Sequence, residues 1–316
     1  MREVLRSTAA RQIVARATSG PHLRPPYLLY ADKGIIILNK PPGLVCQSDK
    51  GFEQVKKLPY LKTELRLDDI PKQIHRLDRY TTGAYLLAKS NVHARALLQQ
   101  FREHSIKKTY LAVVRGGRKS FPSLASGSIN VPLSVRDERT VVDERNGRPA
   151  LTDWELLGSS SNVPLSLLRV SLHSGLKHQL RVHLSQAMQV PILGDTFYSE
   201  KAPLQSILDI VPKDVTVVSQ QTQPEGPTGD PEKSTHRLYL HSAHIDVIRY
   251  RSFGSHKRVI LGVSAPVPWY FRELCKSAGL SQYIPPEYIN GGLSVNRVPI
   301  QLNEEVAGLD GKWLGP

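Results

Sequence analysis

HRLDRYTTGAYLLA, residues 75–88, joins a charged loop to a strand-sized apolar run. Within it Asp78 stands among His75, Arg76 and Arg79, ahead of the small-residue turn at Thr81, Thr82 and Gly83. Cations on both sides keep a carboxylate ionised, the state a nucleophile needs. Taken alone, an Asp beside an Arg is most often a surface ion pair of small energetic weight. The segments around it in the chain change that reading.

Working outward, Ser90 precedes NVHARALLQQF (91–101), where Ala94, Leu97, Leu98 and Phe101 recur at helical spacing. A Ser-capped amphipathic helix is therefore predicted directly after the strand. KKTYLAVVRG (107–116) alternates, with Tyr110, Ala112 and Val114 on one face of a strand and Leu111 and Val113 on the other. NGRPALTDWELL (146–157), SLLRVSLHSG (166–175), RLYLHSAHIDVI (237–248) and RVILGVSAPVPWYF (258–271) read as further strands. HQLRVHLSQAM (178–188) shifts to a helical period, placing Leu180, Leu184 and Ala187 on one stripe with Arg181 beside it. Upstream, LLYADKGIIILNKPPGLV (28–45) reads as a strand, a turn and a buried strand stopped by Pro41, Pro42 and Gly43. Many short strands with few helices indicate an α+β domain on a mixed or antiparallel sheet.

The 316 residues carry 42 Lys and Arg against 28 Asp and Glu, a formal charge of +14 that favours a polyanionic partner. Two distant cysteines, Cys46 and Cys275, argue against a thiolate metal site or a disulfide scaffold. No apolar stretch approaches the roughly 20 residues of a membrane span, so no membrane association is expected. Residues 1–25 contain Arg2, Arg6, Arg11, Arg16 and Arg24 with one acid, Glu3, the composition of a mitochondrial presequence, against a basic RNA-touching tail. The polar run SQQTQPEGPTGDPEK (219–233) reads as a mobile surface insertion within about 199–236, and 276–316 as a peripheral C-terminal extension. A domain over 26–275 is left between them.

In their order, these motifs resemble the RluA-type pseudouridine synthases, uracil-isomerising RNA enzymes. The matching stretches are YADKGIIILNKPPGL, HRLDRYTTG, KKTYLAVVRG, GRPALTDWELL, SGLKHQLRVHLSQAMQVPILGDTFY, LYLHSAHIDV and APVPWYF, spread over roughly residues 27–272. The resemblance implies the pseudouridine synthase catalytic fold, a mixed, largely antiparallel sheet with flanking helices and a central cleft, and an enzyme needing no metal and no organic cofactor. It also implies a catalytic acid at Asp78, an active-site tyrosine at Tyr110, a basic partner for the acid at Arg181, and an apolar residue under the target base at Leu180.

The residue types suit that chemistry. Pseudouridine formation breaks a C–N glycosidic bond, turns the uracil and joins it to the same sugar through carbon, which asks for a carboxylate at the sugar. A tyrosine offers a face for a base pulled from its stack and a phenol that can move a proton. His75, Arg76, Lys177, His178 and Gln179 are expected around the substrate, Arg76 reaching RNA while His75, His178 and Gln179 brace the cleft. Lys40, Lys107 and Lys108 are further candidates for the RNA backbone. His178, His183, His241 and His244 match no zinc spacing, and Asp195 reads as a turn-tying residue.

Two positions depart from the family pattern: Tyr80 where an acid is usual, and Leu176 where an Arg is usual, with Lys177 as a partial replacement. The roughly 26 residues before the first strand leave no room for the small RNA-binding domain of many relatives. The expectation is a monomeric RNA pseudouridine synthase of the mitochondrial matrix acting on large-subunit rRNA. The alternatives are a nuclear or cytoplasmic tRNA enzyme and a catalytically silent RNA-binding assembly factor.

Overall fold

The computed structural model describes residues 27–46, 57–121, 125–137, 139–199, 201–218, 234–301 and 304–315. Its first half contains β1 (Leu28–Ala31), β2 (Ile35–Lys40), α1 (Lys57–Glu64), β3 (Lys72–Gln73), β4 (Thr82–Ala88), α2 (Asn91–Arg102) and β5 (Lys107–Arg115). Then come β6 (Ser126–Asn130), β7 (Leu133–Arg136), β8 (Arg139–Val142), β9 (Leu151–Ser159), β10 (Leu165–Leu172), α3 (Gln179–Val182) and α4 (Gln205–Leu208). The chain ends with β11 (Leu240–Tyr250), β12 (Arg258–Ser264), α5 (Trp269–Ser277), α6 (Pro286–Asn290), β13 (Gly292–Val295), β14 (Val298–Ile300), β15 (Glu305–Val306) and β16 (Gly311–Trp313).

One sheet runs in the order β15, β16, β1, β2, β4, β11, β5, β10, β9, β6, with β12 to β14 continuing from β11. Every pairing is antiparallel except β4 with β11, where His241 lies beside Thr82. Period-two alternation sends Ile36, Leu38, Tyr85 and Leu87 into one core and Ile35, Ile37 and Leu86 into the other. The sheet is thus buried on both faces around β2 and β4. α2 covers one face with Ala94 and Leu97, and α5 covers the other with Tyr270, Phe271 and Leu274. The expected α+β class and largely antiparallel sheet are what the chain forms.

Several local expectations change. Ser90 does cap α2, its Oγ accepting from His93 N–H, but Leu98 of the expected stripe is 42% exposed. All five central residues of β5 are buried, so alternation there separates two dry faces. α3 is only one turn long and passes into a π-helical turn, His183–Ala187, in which Met188 N–H bonds the His183 carbonyl at 3.0 Å. The wider turn rotates Ala187 out to solvent while Leu180 and Leu184 stay buried.

The boundary expected at residue 275 falls inside α5. Nor is 276–316 a separable extension: β13 pairs with β12, and β16 pairs with β1, so it covers two strand edges of the main sheet. Between 201 and 218 the expected flexible insertion is instead packed, with Ile207, Val215 and Val217 in the core. Residues 1–25 and 219–233 lie outside the described residues.

Candidate active site

Asp78 sits in the loop between β3 and β4, and the loop is held mainly through its backbone. Thr81 N–H donates to the Asp78 carbonyl at 3.1 Å. The ammonium of Lys40, fully buried at the end of β2, donates to the carbonyls of Pro41 at 3.0 Å, Leu44 at 2.8 Å and Arg79 at 2.9 Å. It ties the Pro-Pro-Gly turn to the acidic loop. Burial pushes its pKa down to about 8, opposed by Cys46 and Asp78. Lys40 was one of several candidates for the RNA backbone; its three donors are already used inside the protein. The loop ends at Gly83, with φ +105°, where any Cβ would collide with the Ser242 carbonyl of the parallel neighbour β11.

The opposite wall is α3 and the turn after it, held by side chains. Arg181 makes a two-pronged pair with Asp195, Nε to Oδ2 and Nη2 to Oδ1, both 2.8 Å. Its remaining Nη1 lies 3.5 Å from Asp78 Oδ2. Burial alone would lower the guanidinium pKa, but the bonds and charges of Asp195 and Asp78 outweigh it and raise it. Asp195, buried, also accepts the N–H groups of Phe197 and Tyr198 at 3.0 Å. It ties a turn as expected, and in addition it is the main partner of Arg181, which sequence reading assigned to Asp78. The acid in GDTFY, 14 residues after Arg181, was the available signal.

Tyr198, which sequence reading passed over, completes this wall. Its ring faces the Arg181 guanidinium at 5.1 Å, and its hydroxyl accepts Thr140 N–H at 3.1 Å and bonds His178 Nδ1 at 2.8 Å. His178 takes a left-handed φ of 54° at the start of α3, which brings its Nε2 within 3.8 Å of Asp78 Oδ1. Burial holds the His178 pKa at about 4, so the imidazole is neutral at physiological pH.

Between the walls lies a cavity of about 260 Å³ whose lining includes all nine residues singled out in the sequence: His75, Arg76, Asp78, Tyr110, Lys177, His178, Gln179, Leu180 and Arg181. Asp78 and Arg181 keep side-chain exposures of 17% and 13%, enough for a ligand to reach them. Tyr110 comes from β5, at a position paired with Ser242 beside an irregularity in the β5 to β11 register. Burial, followed by the Asp78 charge, raises its phenol pKa, so it stays protonated. Leu180 supplies an apolar patch.

Two of the nine have their polar atoms engaged by the protein itself. Gln179 spends its amide on the protein: its nitrogen donates to Leu151 O and Thr152 Oγ1, and its oxygen accepts from Ser174 Oγ and Leu176 N–H. His75 accepts Leu86 N–H at 2.9 Å and stacks on Phe101, with burial holding its pKa near 3. Both brace the cleft. Of the departures, Tyr80 packs edge-on against His236 at 4.6 Å, and Leu176 packs against the small core of Leu133, Ala150 and Val182. His183 and His241 bond Thr152 and Thr82, and His244 bonds Ser264 and Asp246. Among the described residues no group of three or more His, Cys, Asp or Glu is arranged to hold a metal ion.

A family model described as RNA pseudouridylate synthase matches residues 34–186, a span containing both walls up to Arg181. An uncharacterized RNA pseudouridine synthase of Zymomonas mobilis is 32% identical over 175 residues, 54% of this chain and 77% of that protein. This chain belongs to the RNA pseudouridine synthase family. Another relative in the family, RNA pseudouridine synthase 4, mitochondrial, of Arabidopsis thaliana, is 30% identical over 249 residues, 70% of this chain and 51% of its own. The chain spans about half the length of most of the curated family members it matches. The fold is shared with the solved structure of human RNA pseudouridylate synthase domain containing 4, with a TM-score of 0.57 and 24% identity over 80% of this chain and 93% of that one.

Proposed function

We propose that the chain isomerises uridine in RNA to pseudouridine at the Asp78 cavity. The observation that carries this reading is the convergence of Asp78, Arg181 and Tyr110, from three separate segments, on a cavity sized for one base. Arg181 Nη1 steadies the Asp78 carboxylate, which acts at the sugar either by attacking C1′ or by taking a C2′ proton as the glycosidic bond breaks. The detached uracil turns against Tyr110 and Leu180, and C5 joins C1′ in place of nitrogen. As that bond forms the Asp78 ester oxygen leaves C1′, or in the other route the C2′ proton returns; C5 then loses its proton and N1 gains one, so no redox partner is needed. The neutral Tyr110 phenol serves as proton donor or stacking face, not as a strong base.

For the RNA we put forward mitochondrial large-subunit rRNA, with tRNA as the alternative outcome of the same experiment. The +14 charge, the arginine-rich first 25 residues and the Arabidopsis relative named as mitochondrial support this reading. Pseudouridine mapping of organellar and cytoplasmic RNA from cells carrying the wild-type chain or Asp78→Ala tests it. Loss of one or a few mitochondrial rRNA pseudouridines is expected. A map unchanged in every RNA class would overturn the enzymatic reading, and a change confined to tRNA would overturn only the target.

A further inference from the structure

A second cavity, of about 550 Å³, opens beside the first and shares with it Phe101, Lys108, Leu172 and Gly175. Its far side is formed by α2, where Arg95, Leu98 and Arg102 point outward from the helix. No acidic residue lines it, so its lining is basic with an apolar floor. Such a surface is unusual for a fold-stabilising crevice, where buried cations are normally paired.

Lys108 is the decisive group. Its side chain is partly buried at the junction of the two cavities, with burial pushing its pKa down to about 8. Its ammonium rests 5.6 Å from the centre of the Phe101 ring. Among the described residues Lys108, Arg95 and Arg102 make no side-chain hydrogen bond and no ion pair, whereas Lys40, which is fully buried, has all three donors engaged. Each of these cations therefore retains donors for an anion arriving from outside. Leu98, a helix position that periodicity assigns to the core, is instead exposed at this cavity, beside Phe101.

We propose that this cavity is a nucleotide subsite, in which Lys108 takes a backbone phosphate adjoining the flipped uridine and the Leu98 and Phe101 surface takes the neighbouring nucleoside. Arg95 and Arg102 take the next phosphate outward. The proposal rests on the reading of the first cavity as a uridine site. It extends that reading by giving the direction in which the RNA strand leaves: over α2, away from the Lys40 side of the loop. Phosphate contacts of this kind position the strand without reading its sequence, and an aromatic or apolar floor accepts any base.

Three variants of the full chain test this: Lys108→Met, which keeps the stem and removes the charge, the exposed pair Arg95→Ala with Arg102→Ala, and Asp78→Ala. Binding of a short fluorescein-labelled, uridine-containing single-stranded RNA is measured across a salt series. Isomerisation is measured separately as tritium release from RNA labelled at uridine C5. Lys108→Met should weaken binding about tenfold and reduce the slope of log K against log salt by about 0.7, as for one phosphate on a single strand. The arginine pair, which shares one phosphate, should reduce it by one such step, and both variants should raise KM more than they lower kcat. Wild-type affinity and slope in both would overturn the subsite. So would Lys108-dependent binding of inorganic phosphate with the RNA slope unchanged, which would mark a free-anion site. Asp78→Ala should bind RNA with the wild-type slope and release no tritium. Absence of release from the wild-type chain with the salt slopes as expected would overturn the uridine reading and leave the RNA subsite standing.

Discussion

The two walls of the Asp78 cavity are built by opposite means. The β3 to β4 loop is set by main-chain groups, with one buried ammonium bonded to three carbonyls and a glycine fitted against the Ser242 carbonyl. The α3 wall is set by side chains reaching across the chain, with Arg181, Asp195, Tyr198, His178 and Thr140 in one connected network. A main-chain scaffold fixes where Asp78 sits with little regard to neighbouring side chains. A side-chain network makes the position of Arg181 depend on every member. The first wall should tolerate substitution except at its pins; the second should fail as a unit.

The largest effect should come from breaking the network at its buried anion. Asp195→Ala removes the two-pronged partner of Arg181 and two backbone acceptor contacts, and losing one side of a buried ion pair costs about 3–5 kcal/mol. Chemical denaturation should show that loss. Turnover should fall about 100-fold or more in the fraction that still folds, because Arg181 no longer has a fixed geometry.

Lys40→Met probes the other wall. It leaves the Pro41, Leu44 and Arg79 carbonyls unbonded but also removes a costly buried charge, so a smaller loss of about 2 kcal/mol is expected. Activity should fall about tenfold through displacement of the loop, with RNA affinity nearly unchanged. Equal destabilisation by Lys40→Met and Asp195→Ala would break the distinction between the walls.

Both walls also share a pH dependence. His75 and His178 have folded pKa values near 3 and near 4, below the ordinary 6.5, through burial. Between pH 6.5 and about 4 the unfolded chain therefore binds more protons than the folded one. Stability is fully present above 6.5 and declines as the pH falls through that window. The midpoint of urea unfolding, followed from pH 7 to pH 4, should drop accordingly, and His178→Asn should flatten the slope by one group's share. An unchanged slope would show that His178 titrates alike in both states.

Much of the site was legible because its chemistry lies in short contiguous runs. HRLDRYTTG, KKTYLAVV and HQLRVHL each place a particular residue type beside a strand or helix signal, and their order carries the resemblance. What could not be read was partner choice. Arg181 beside Asp78 in the resemblance gave no hint that Asp195 holds two of its donors, and a lysine before Pro-Pro-Gly looks the same in sequence whether it faces RNA or three carbonyls. The widened turn at His183–Ala187 was hidden too, since its spacing departs from 3.6 only after Arg181 has been placed.

The sequence by itself determined the strand alternation, the α2 cap, the basic charge and the titratable groups that line the Asp78 cavity, because these depend on local propensity and residue type. The tertiary structure alone decided which cations are spent and which are free. Lys40 and Lys108 are both lysines whose pKa desolvation lowers to about 8, yet one is fully buried and bonded to three carbonyls while the other is partly exposed and faces a cavity. That difference comes from which loops the sheet order brings over each ammonium, and no window of sequence around either lysine contains it.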